Sequence, residues 1–259
     1  MRYCRFQHVT GPQFGRIETV NGVECVTELL DVAEHHLPLA QPGFSAVPLA
    51  EVKLLPAAAP SKIICVGRNY RAHAKELGHD VPTEPLLFFK PPSALLAHGR
   101  EIVLPPESER VDYEGELGVI IGKRCRNLSE NDSARSFIRG YTIVNDVTAR
   151  DLQKKDSQWT RAKGFDTFCP CGPIVTDELD PWAGVELTTR LNGEVKQQGN
   201  TREFIFPLDE ILRYASRIMT LEPGDLIATG TPEGVSPMKS GDAVEVSVAG
   251  IGALKNKIR

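Results

Sequence analysis

The stretch Tyr113-Glu114-Gly115-Glu116-Leu117-Gly118-Val119-Ile120-Ile121 decides the fold, because two acids interrupt what is otherwise a buried apolar strand. Side chains alternate along a strand, so Glu114 and Glu116 are predicted to lie on one face. Neighbouring carboxylates repel each other, and burying them is costly unless a cation or a shared proton offsets their charge. The pair therefore predicts a charged site within a core strand.

A third acid, Asp146, follows a second strand-like run at residues 141–145. Three carboxylates without a nearby His or Cys suit a hard, oxygen-preferring divalent ion such as Mg²⁺ or Mn²⁺. Two other interpretations stay open from the residues alone. Glu114 and Glu116 could lie on a solvated sheet face, and Asp146 could be the N-cap of a helix that begins at Val147.

Length and composition predict an ordinary globular protein of 259 residues, with one large domain or a main domain and a small annex. The net charge of -4 provides no basic surface for nucleic acid or an anionic membrane. No apolar run reaches the length of a membrane span, and the N-terminus lacks a secretory signal. Six cysteines without zinc-type spacing indicate reduced, mostly buried thiols. We therefore expect a cytoplasmic protein.

Turn signals and composition divide the chain into a small N-terminal β-rich domain, residues 1–57, and a main domain, residues 58–259. In the first, Asn21-Gly22 is a strong hairpin signal between two strand-like runs. Many short strands with few helices, in no regular βαβ alternation, predict an α+β fold.

The second domain carries most of the predicted elements. Asn192-Gly193 marks another hairpin, and apolar spacing predicts a helix over residues 207–221. A short helix is predicted over residues 70–77, ending at Gly78. Further strands are predicted at residues 62–66, 86–89, 101–104, 116–121, 141–144 and 243–252.

Six short motifs occur in order in this second domain. They are Gly67-Arg-Asn-Tyr-x-x-His73-x-x-Glu76, Phe89-Lys90-Pro91, Asp112-Tyr-Glu114-x-Glu116, Asn145-Asp146-x-Thr-Ala-Arg150-Asp-x-Gln153, Lys163-Gly-Phe-Asp166-Thr and Gly230-Thr231-Pro-x-Gly-Val235. Any one motif is weak, but their ordered co-occurrence is highly specific. Over residues 60–258 the chain resembles the fumarylacetoacetate hydrolase family, particularly its acylpyruvase, oxaloacetate-decarboxylase-like and 2-hydroxyhepta-2,4-diene-1,7-dioate isomerase members.

The resemblance implies a mixed β-roll that forms homodimers, with a site for Mg²⁺ or Mn²⁺ whose ligands are Glu114, Glu116 and Asp146. It also implies an acid–base pair on a short lid that orders over the substrate, His73 and Glu76. The remaining implied site residues are Lys163 beside the metal and the substrate-contacting positions Arg68, Tyr70, Arg150, Gln153 and Thr231.

Spacing gives some of these residues a physical reason of their own. His73 and Glu76 are three apart, so they share one helix face, where a carboxylate can orient an imidazole and raise its basicity. Asp146, Arg150 and Gln153 are spaced for one face of a helix that leaves the metal strand. Spacing alone fits ordinary surface ion pairs equally well.

The resemblance implies cleavage of a C–C bond next to a carbonyl in a small oxo acid. The reaction would be hydrolysis of an acylpyruvate or fumarylpyruvate, or decarboxylation of oxaloacetate, through a pyruvate enolate that the metal and Lys163 stabilise. An alternative is isomerisation of 2-hydroxyhepta-2,4-diene-1,7-dioate or 5-carboxymethyl-2-hydroxymuconate in aromatic catabolism. A remote alternative is a non-catalytic metal-binding scaffold. Fold does not fix chemistry, so the sequence leaves these reactions open.

Overall fold

The computed structural model describes residues 1–30, 38–39, 44–78 and 80–259, and strands predominate in this part of the chain. The described strands are β1 (Arg2–His8), β2 (Gly11–Val20), β3 (Val23–Leu30), β4 (Pro38–Leu39), β5 (Val47–Pro48), β6 (Ile63–Gly67), β7 (Leu86–Lys90), β8 (Leu95–Leu96), β9 (Glu101–Ile102), β10 (Val111–Asp112), β11 (Gly115–Ile121), β12 (Ile138–Asn145), β13 (Thr148–Ala149), β14 (Cys169–Thr176), β15 (Glu186–Leu191), β16 (Glu194–Asn200), β17 (Leu226–Ala228), β18 (Ala243–Val248) and β19 (Gly252–Ile258). The described α-helices are α1 (Arg71–Glu76), α2 (Arg150–Lys155), α3 (Thr160–Gly164) and α4 (Leu208–Ile218). The predicted α+β, mixed β-roll class is confirmed.

A large mixed sheet forms the centre of the fold. Its strands follow the order β4-β3-β2-β1-β14-β12-β11-β17-β6-β7, with β5 beside β3 and β8 beside β14. The N-terminal strands join it through β1, where Arg2 and Tyr3 pair with Thr176 and Val175. Residues 1–30 therefore extend the same sheet as the main part of the chain. The boundary at residue 57 stays a prediction.

A second sheet, ordered β16-β15-β18-β19-β9, packs against β11, β12 and β14 of the first. Leu117, Val119 and Ile121 belong to the same buried apolar cluster as Leu187 and Val246 of the second sheet. The opposite face of β11 is also buried, and Ile120 on that face belongs to a second buried cluster. Burial on both faces explains the continuous apolar run along β11.

Both predicted hairpins form. The turn between β2 and β3 has φ of 52° at Asn21 and 82° at Gly22, and the turn between β15 and β16 has 54° at Asn192 and 84° at Gly193. Two successive residues with positive φ match the right-handed twist of the flanking strands, and Asn-Gly adopts this backbone at little cost.

The predicted helix over residues 207–221 is correct in kind but too long. Helix α4 ends at Ile218, because Met219 is extended, with φ of -144° and ψ of 155°. Leu221 then exchanges two backbone hydrogen bonds with Cys125, each 3.0 Å long. Ile218, the last residue of the helix, is 55% exposed. Residues 219–221, predicted as the last turn of the helix, therefore lie outside it, and Leu221 bridges to Cys125.

The six cysteines are free and buried, as the sequence predicted. None of the helices in the described residues is long and apolar enough to cross a membrane.

Candidate metal centre and active site

Three carboxylates meet where β11 begins and β12 ends. Oxygens of Glu114, Glu116 and Asp146 all lie within 4.8 Å of one another, and the three side chains are buried. The structure therefore brings together the acids that the sequence predicted as ligands. The interpretation that the glutamates lie on a solvated sheet face is wrong.

Backbone pairing fixes the positions of these acids, which we call the acid trio. Gly115 of β11 lies opposite Asn145 of β12 in an antiparallel ladder. The Asn145 Oδ1 atom accepts from the Glu114 amide at 2.9 Å, and the Glu114 carbonyl accepts from the Asp146 amide at 2.8 Å. Two hydrogen bonds of Glu114 thus tie the start of β11 to the end of β12.

The path of the chain after Asp146 differs from the sequence prediction. Asp146 caps no helix, because β13 follows it and pairs with β10, and α2 begins only at Arg150. Asp146 therefore does not share a helix face with Arg150 and Gln153. Those two residues do contact each other on α2, where Arg150 Nη1 donates to Gln153 Oε1 at 2.7 Å.

Two buried lysines contact the acid trio. Lys163 Nζ donates to Glu114 Oε2 at 2.8 Å and to Asp146 Oδ2 and Thr148 Oγ1 at 2.7 Å each, which uses all three of its protons. Lys90 Nζ donates to Asp146 Oδ1 at 2.7 Å and to the next backbone carbonyl at 2.9 Å. Burial lowers the pKa of Lys163. The negative charges of Asp146 and Glu114 raise this pKa by more than burial lowers it, so it lies above its usual value.

Arg150 is a third buried cation at the trio. Its guanidinium donates from Nε to Asp112 Oδ2 at 2.9 Å and from Nη2 to Glu114. Burial would raise the pKa of Glu114, but the charges of Lys163 and Arg150 outweigh burial and hold that pKa below its usual range. Glu114 is therefore a permanent carboxylate at neutral pH.

Glu116 forms no ion pair with a cation in the part of the chain that the structure describes. Within the described residues its carboxylate accepts one hydrogen bond, from the Gly230 amide at 2.7 Å. Burial, followed by the charges of Asp146 and Glu114, raises the pKa of Glu116 well above its usual value. A divalent cation would remove this cost, since it would supply the positive charge that Glu116 lacks. The all-oxygen donor set thus fits a hard ion such as Mg²⁺ or Mn²⁺.

The predicted acid–base pair lies on helix α1. His73 is buried, and its Nδ1 lies 3.0 Å from Glu76 Oε2, while Glu76 Oε1 accepts from the Gly234 amide at 2.9 Å. Burial raises the pKa of Glu76, but the bonds from His73 and Gly234 lower it more, so the net shift is downward. Glu76 is therefore an ionised acceptor at neutral pH.

One cavity of about 330 Å³ is lined by both the acid trio and His73 of α1. This volume suits a small acid substrate. Its lining residues are Val66, Gly67, Arg68, His73, Leu77, Phe88, Glu114, Glu116, Asp146, Arg150, Gln153, Lys154, Trp159, Lys163 and Thr231.

The predicted substrate-contacting residues differ in their placement. Arg68, Arg150, Gln153 and Thr231 line the cavity, whereas Tyr70 does not. The Tyr70 ring packs edge-on against Phe204, with ring centroids 5.3 Å apart. This contact packs Tyr70, the residue that precedes α1, against the rest of the protein. Substrate contact by any of these residues stays a prediction.

Several polar residues of the site were not predicted from the sequence. Lys90 belongs to one of the six motifs but had no predicted role. A lysine at the end of the otherwise apolar strand Leu86–Lys90 is a usable signal. Asp112 and Thr148 were likewise visible in motifs without an assigned role. Gln197 gave no signal, because it is far from the acid trio along the chain.

Two family models match the chain. Fumarylacetoacetate (FAA) hydrolase C-terminal matches residues 62–259, and Rv2993c-like, N-terminal matches residues 1–56. The first covers most of the chain, so the protein belongs to the fumarylacetoacetate hydrolase family. The resemblance identified from the six motifs is confirmed.

Similar proteins have several different names. Oxaloacetate tautomerase YisK of Bacillus subtilis is 41% identical over 267 residues, which cover 93% of this chain and 88% of that protein. The mitochondrial oxaloacetate decarboxylase of Dictyostelium discoideum is 45% identical over 196 residues, covering 73% and 89%. The crystal structure of 5-carboxymethyl-2-hydroxymuconate delta-isomerase from Mycobacterium smegmatis superposes with a TM-score of 0.87 at 41% identity, covering 100% and 99%. Family membership therefore leaves the reaction to be argued from the site.

Proposed function

We propose that the protein is a divalent-metal-dependent enzyme that interconverts the keto and enol forms of a small 2-oxo dicarboxylic acid of the oxaloacetate type. One observation carries the proposal: an oriented base, His73, lines the same cavity as the acid trio and Lys163. The names of the Bacillus and Dictyostelium relatives support an oxaloacetate-type substrate.

The acid trio would hold the ion, with Mg²⁺ or Mn²⁺ as the proposed metals. A bound divalent ion would supply positive charge to the substrate oxygens as negative charge develops on them. Lys163 would add a fixed ammonium at the same place, already paired with two of the three carboxylates. Such preorganised charge stabilises an enolate without reorganisation during the reaction.

His73 would move the proton. Because the Glu76 carboxylate accepts from Nδ1, the Nδ1 atom carries hydrogen and Nε2 keeps its lone pair as the base. Nε2 removes a proton from the carbon next to the carbonyl. The C–H electron pair becomes the C=C bond, and the carbonyl electrons move to oxygen. Imidazolium then returns the proton to that oxygen, which gives the enol, and the reverse sequence restores the ketone.

Arg68 would recognise the second carboxylate of the substrate. It lines the cavity, and its guanidinium has no ion pair with a carboxylate in the described part of the chain. A guanidinium binds a carboxylate through two parallel hydrogen bonds. A dicarboxylic acid would thus be held between the acid trio with its ion and Arg68.

Decarboxylation of oxaloacetate is the second candidate. It passes through the same enolate, and the name of the Dictyostelium relative supports it.

Hydrolysis of an acylpyruvate would require His73 to activate a water molecule, and the isomerase reaction would use the same proton transfer on a longer dienol. A non-catalytic scaffold would need neither His73 nor Lys163 in the cavity. A homodimer in the cytoplasm stays our expectation.

The purified protein with Mg²⁺ tests the proposal. Oxaloacetate is added as the enol, and enol absorbance and pyruvate release are followed in the same sample, with acetylpyruvate and a 2-hydroxydienoate assayed in parallel. Fast loss of enol without pyruvate supports tautomerisation, whereas pyruvate released at the same rate indicates decarboxylation. Turnover of only acetylpyruvate or the dienoate would show that the proposed reaction is wrong.

A further inference from the structure

We infer that Gln197, on strand β16 of the second sheet, is a positioning residue that holds the acid trio and the His73–Glu76 pair in one fixed arrangement. This inference rests on the proposed function, in which both groups act on one substrate. Gln197 lies outside all six motifs and does not line the cavity. Its effect would be exerted through the backbone of two other segments.

The Gln197 side chain connects those two segments directly. It is buried, and its Oε1 accepts from the Gly115 amide at 3.0 Å. Its Nε2 donates to Thr231 Oγ1 and to the Pro232 carbonyl, at 2.8 Å each. Gly115 is the residue between the two glutamates of the acid trio. One amide group therefore ties the metal strand to residues 231–232.

Residues 230–234, which we call the 230–234 loop, contact both parts of the site. The Gly230 amide donates to Glu116 at 2.7 Å, and the Gly234 amide donates to Glu76 at 2.9 Å. Thr231 Oγ1 donates to the Gly115 carbonyl at 2.8 Å. A shift of this loop would therefore move a proposed metal ligand and the partner of the base together.

Strand β16 leaves the loop little freedom to shift. A Cβ atom at Gly199 would lie 2.8 Å from Pro232 Cβ, and one at Gly234 would collide with the Lys196 carbonyl oxygen. Gly234 also has φ of +100°, which glycine adopts without strain. The loop is thus seated on β16 by close backbone contact, and Gln197 supplies the polar bonds of that contact.

The chemistry of the position requires an amide. The Gly115 amide needs an acceptor, and the Pro232 carbonyl needs a donor, so a carboxylate or an apolar side chain satisfies at most one of them. A buried polar group without a partner costs about 1–3 kcal/mol. The lowest-energy response to such a substitution is movement of the strand or the loop, which would disturb the site.

Gln197→Met tests the inference, because methionine has nearly the same length without the three polar contacts. The matched control is Gln198→Met, the same change at the exposed neighbour on β16. Residues that orient metal ligands typically contribute about 10–100-fold to metal affinity or activity. We expect Gln197→Met to weaken binding of Mg²⁺ alone, measured by calorimetry, and to lower kcat, each by about 10–100-fold. The Gln198→Met protein should match the wild type in both.

A folded Gln197→Met protein with wild-type Mg²⁺ affinity and kcat would overturn the inference. If that variant does not fold, Gly199→Ala replaces it, because its methyl group presses on Pro232 and leaves the amide intact. Reduced Mg²⁺ affinity in Gly199→Ala then supports the inference, and unchanged affinity overturns it. Glu116→Gln is measured alongside. Mg²⁺ binding retained in Glu116→Gln would show instead that the metal site itself is assigned wrongly.

Discussion

The acid trio lies on strand ends that are buried on both sides, whereas His73 and Glu76 lie on a six-residue helix at the edge of the cavity. Three buried cations and two interstrand hydrogen bonds hold the trio. Among the described residues, one hydrogen bond ties the pair on α1 to the rest of the site, from the Gly234 amide to Glu76. In the proposed reaction, charge stabilisation benefits from a rigid environment, while the substrate must be able to enter past His73. The two regions differ in the way that these two tasks require.

The largest effect is expected from a substitution in the acid trio, the rigid region of the site. Glu116→Gln removes the carboxylate that has no cation partner in the described part of the chain. Mg²⁺ binding should therefore be lost, and turnover should fall by more than about 10⁴-fold, since the ion contributes at least roughly 5 kcal/mol. Calorimetry with Mg²⁺ and initial rates measure both. Glu186→Gln, an exposed position on β15, is the control and should change neither. Full Mg²⁺ affinity in Glu116→Gln would contradict the ligand set.

The next effect distinguishes the pair on α1 from the acid trio, because the substitution should change kcat without changing Mg²⁺ affinity. His73→Ala removes the base, so kcat should fall by about 10²–10⁴-fold, while Mg²⁺ affinity should stay at the wild-type value. Decarboxylation of oxaloacetate, which needs no proton removal before the C–C bond breaks, should suffer much less. The matched control is His8→Ala on β1. Equal losses of both reactions would show that His73 positions the substrate rather than transferring its proton.

A smaller effect is expected on the free energy of unfolding when Mg²⁺ binds to the acid trio. Mg²⁺ at about 100 times its Kd should add about 2.7 kcal/mol to the free energy of unfolding. For a chain of this size, that corresponds to a rise in Tm of roughly 5–10 °C. The Glu116→Gln protein should show no rise, and chelation of the metal should reverse the rise in the wild type. An equal rise in both proteins would place Mg²⁺ at another site.

The smallest effect concerns the mobility of the lid. Oxalate, which mimics the paired oxygens of an enolate, should slow amide hydrogen exchange in residues 70–78 in the presence of Mg²⁺. Residues 115–121 of β11 should already be protected without it, because they are buried and fully paired. Exchange in residues 70–78 that is unchanged by bound oxalate would contradict the gating role of α1.

Local signals in the sequence were the most reliable. The Asn21-Gly22 and Asn192-Gly193 turns form because their backbone requirements are satisfied within two residues. The acid trio could be predicted for a related reason. Glu114 and Glu116 are two residues apart at the start of one strand, and a third acid at the end of another strand completes the set. The family motifs added the pair on α1, which spacing alone could not separate from a surface ion pair.

Contacts between distant segments could not be predicted. The pairing of β1 with β14 joins residue 3 to residue 175, and Gln197 reaches Gly115 across 82 positions. The start of α2 was misplaced for the same reason, because the pairing of β13 with β10 delays the helix to Arg150. In each case a tertiary partner decides the outcome, and no local pattern encodes that partner.

The bonding of Lys163 has a consequence for side reactions with the substrate. A primary amine beside a 2-oxo acid condenses with the ketone to form an imine, but only if nitrogen has a free lone pair. Lys163 keeps its third proton, because Glu114, Asp146 and Thr148 each accept one hydrogen from it. The same three bonds that hold the ammonium at the wall of the cavity therefore make it non-nucleophilic. Borohydride should accordingly trap no covalent adduct at Lys163 when a 2-oxo acid is bound, although Lys163 lines the cavity.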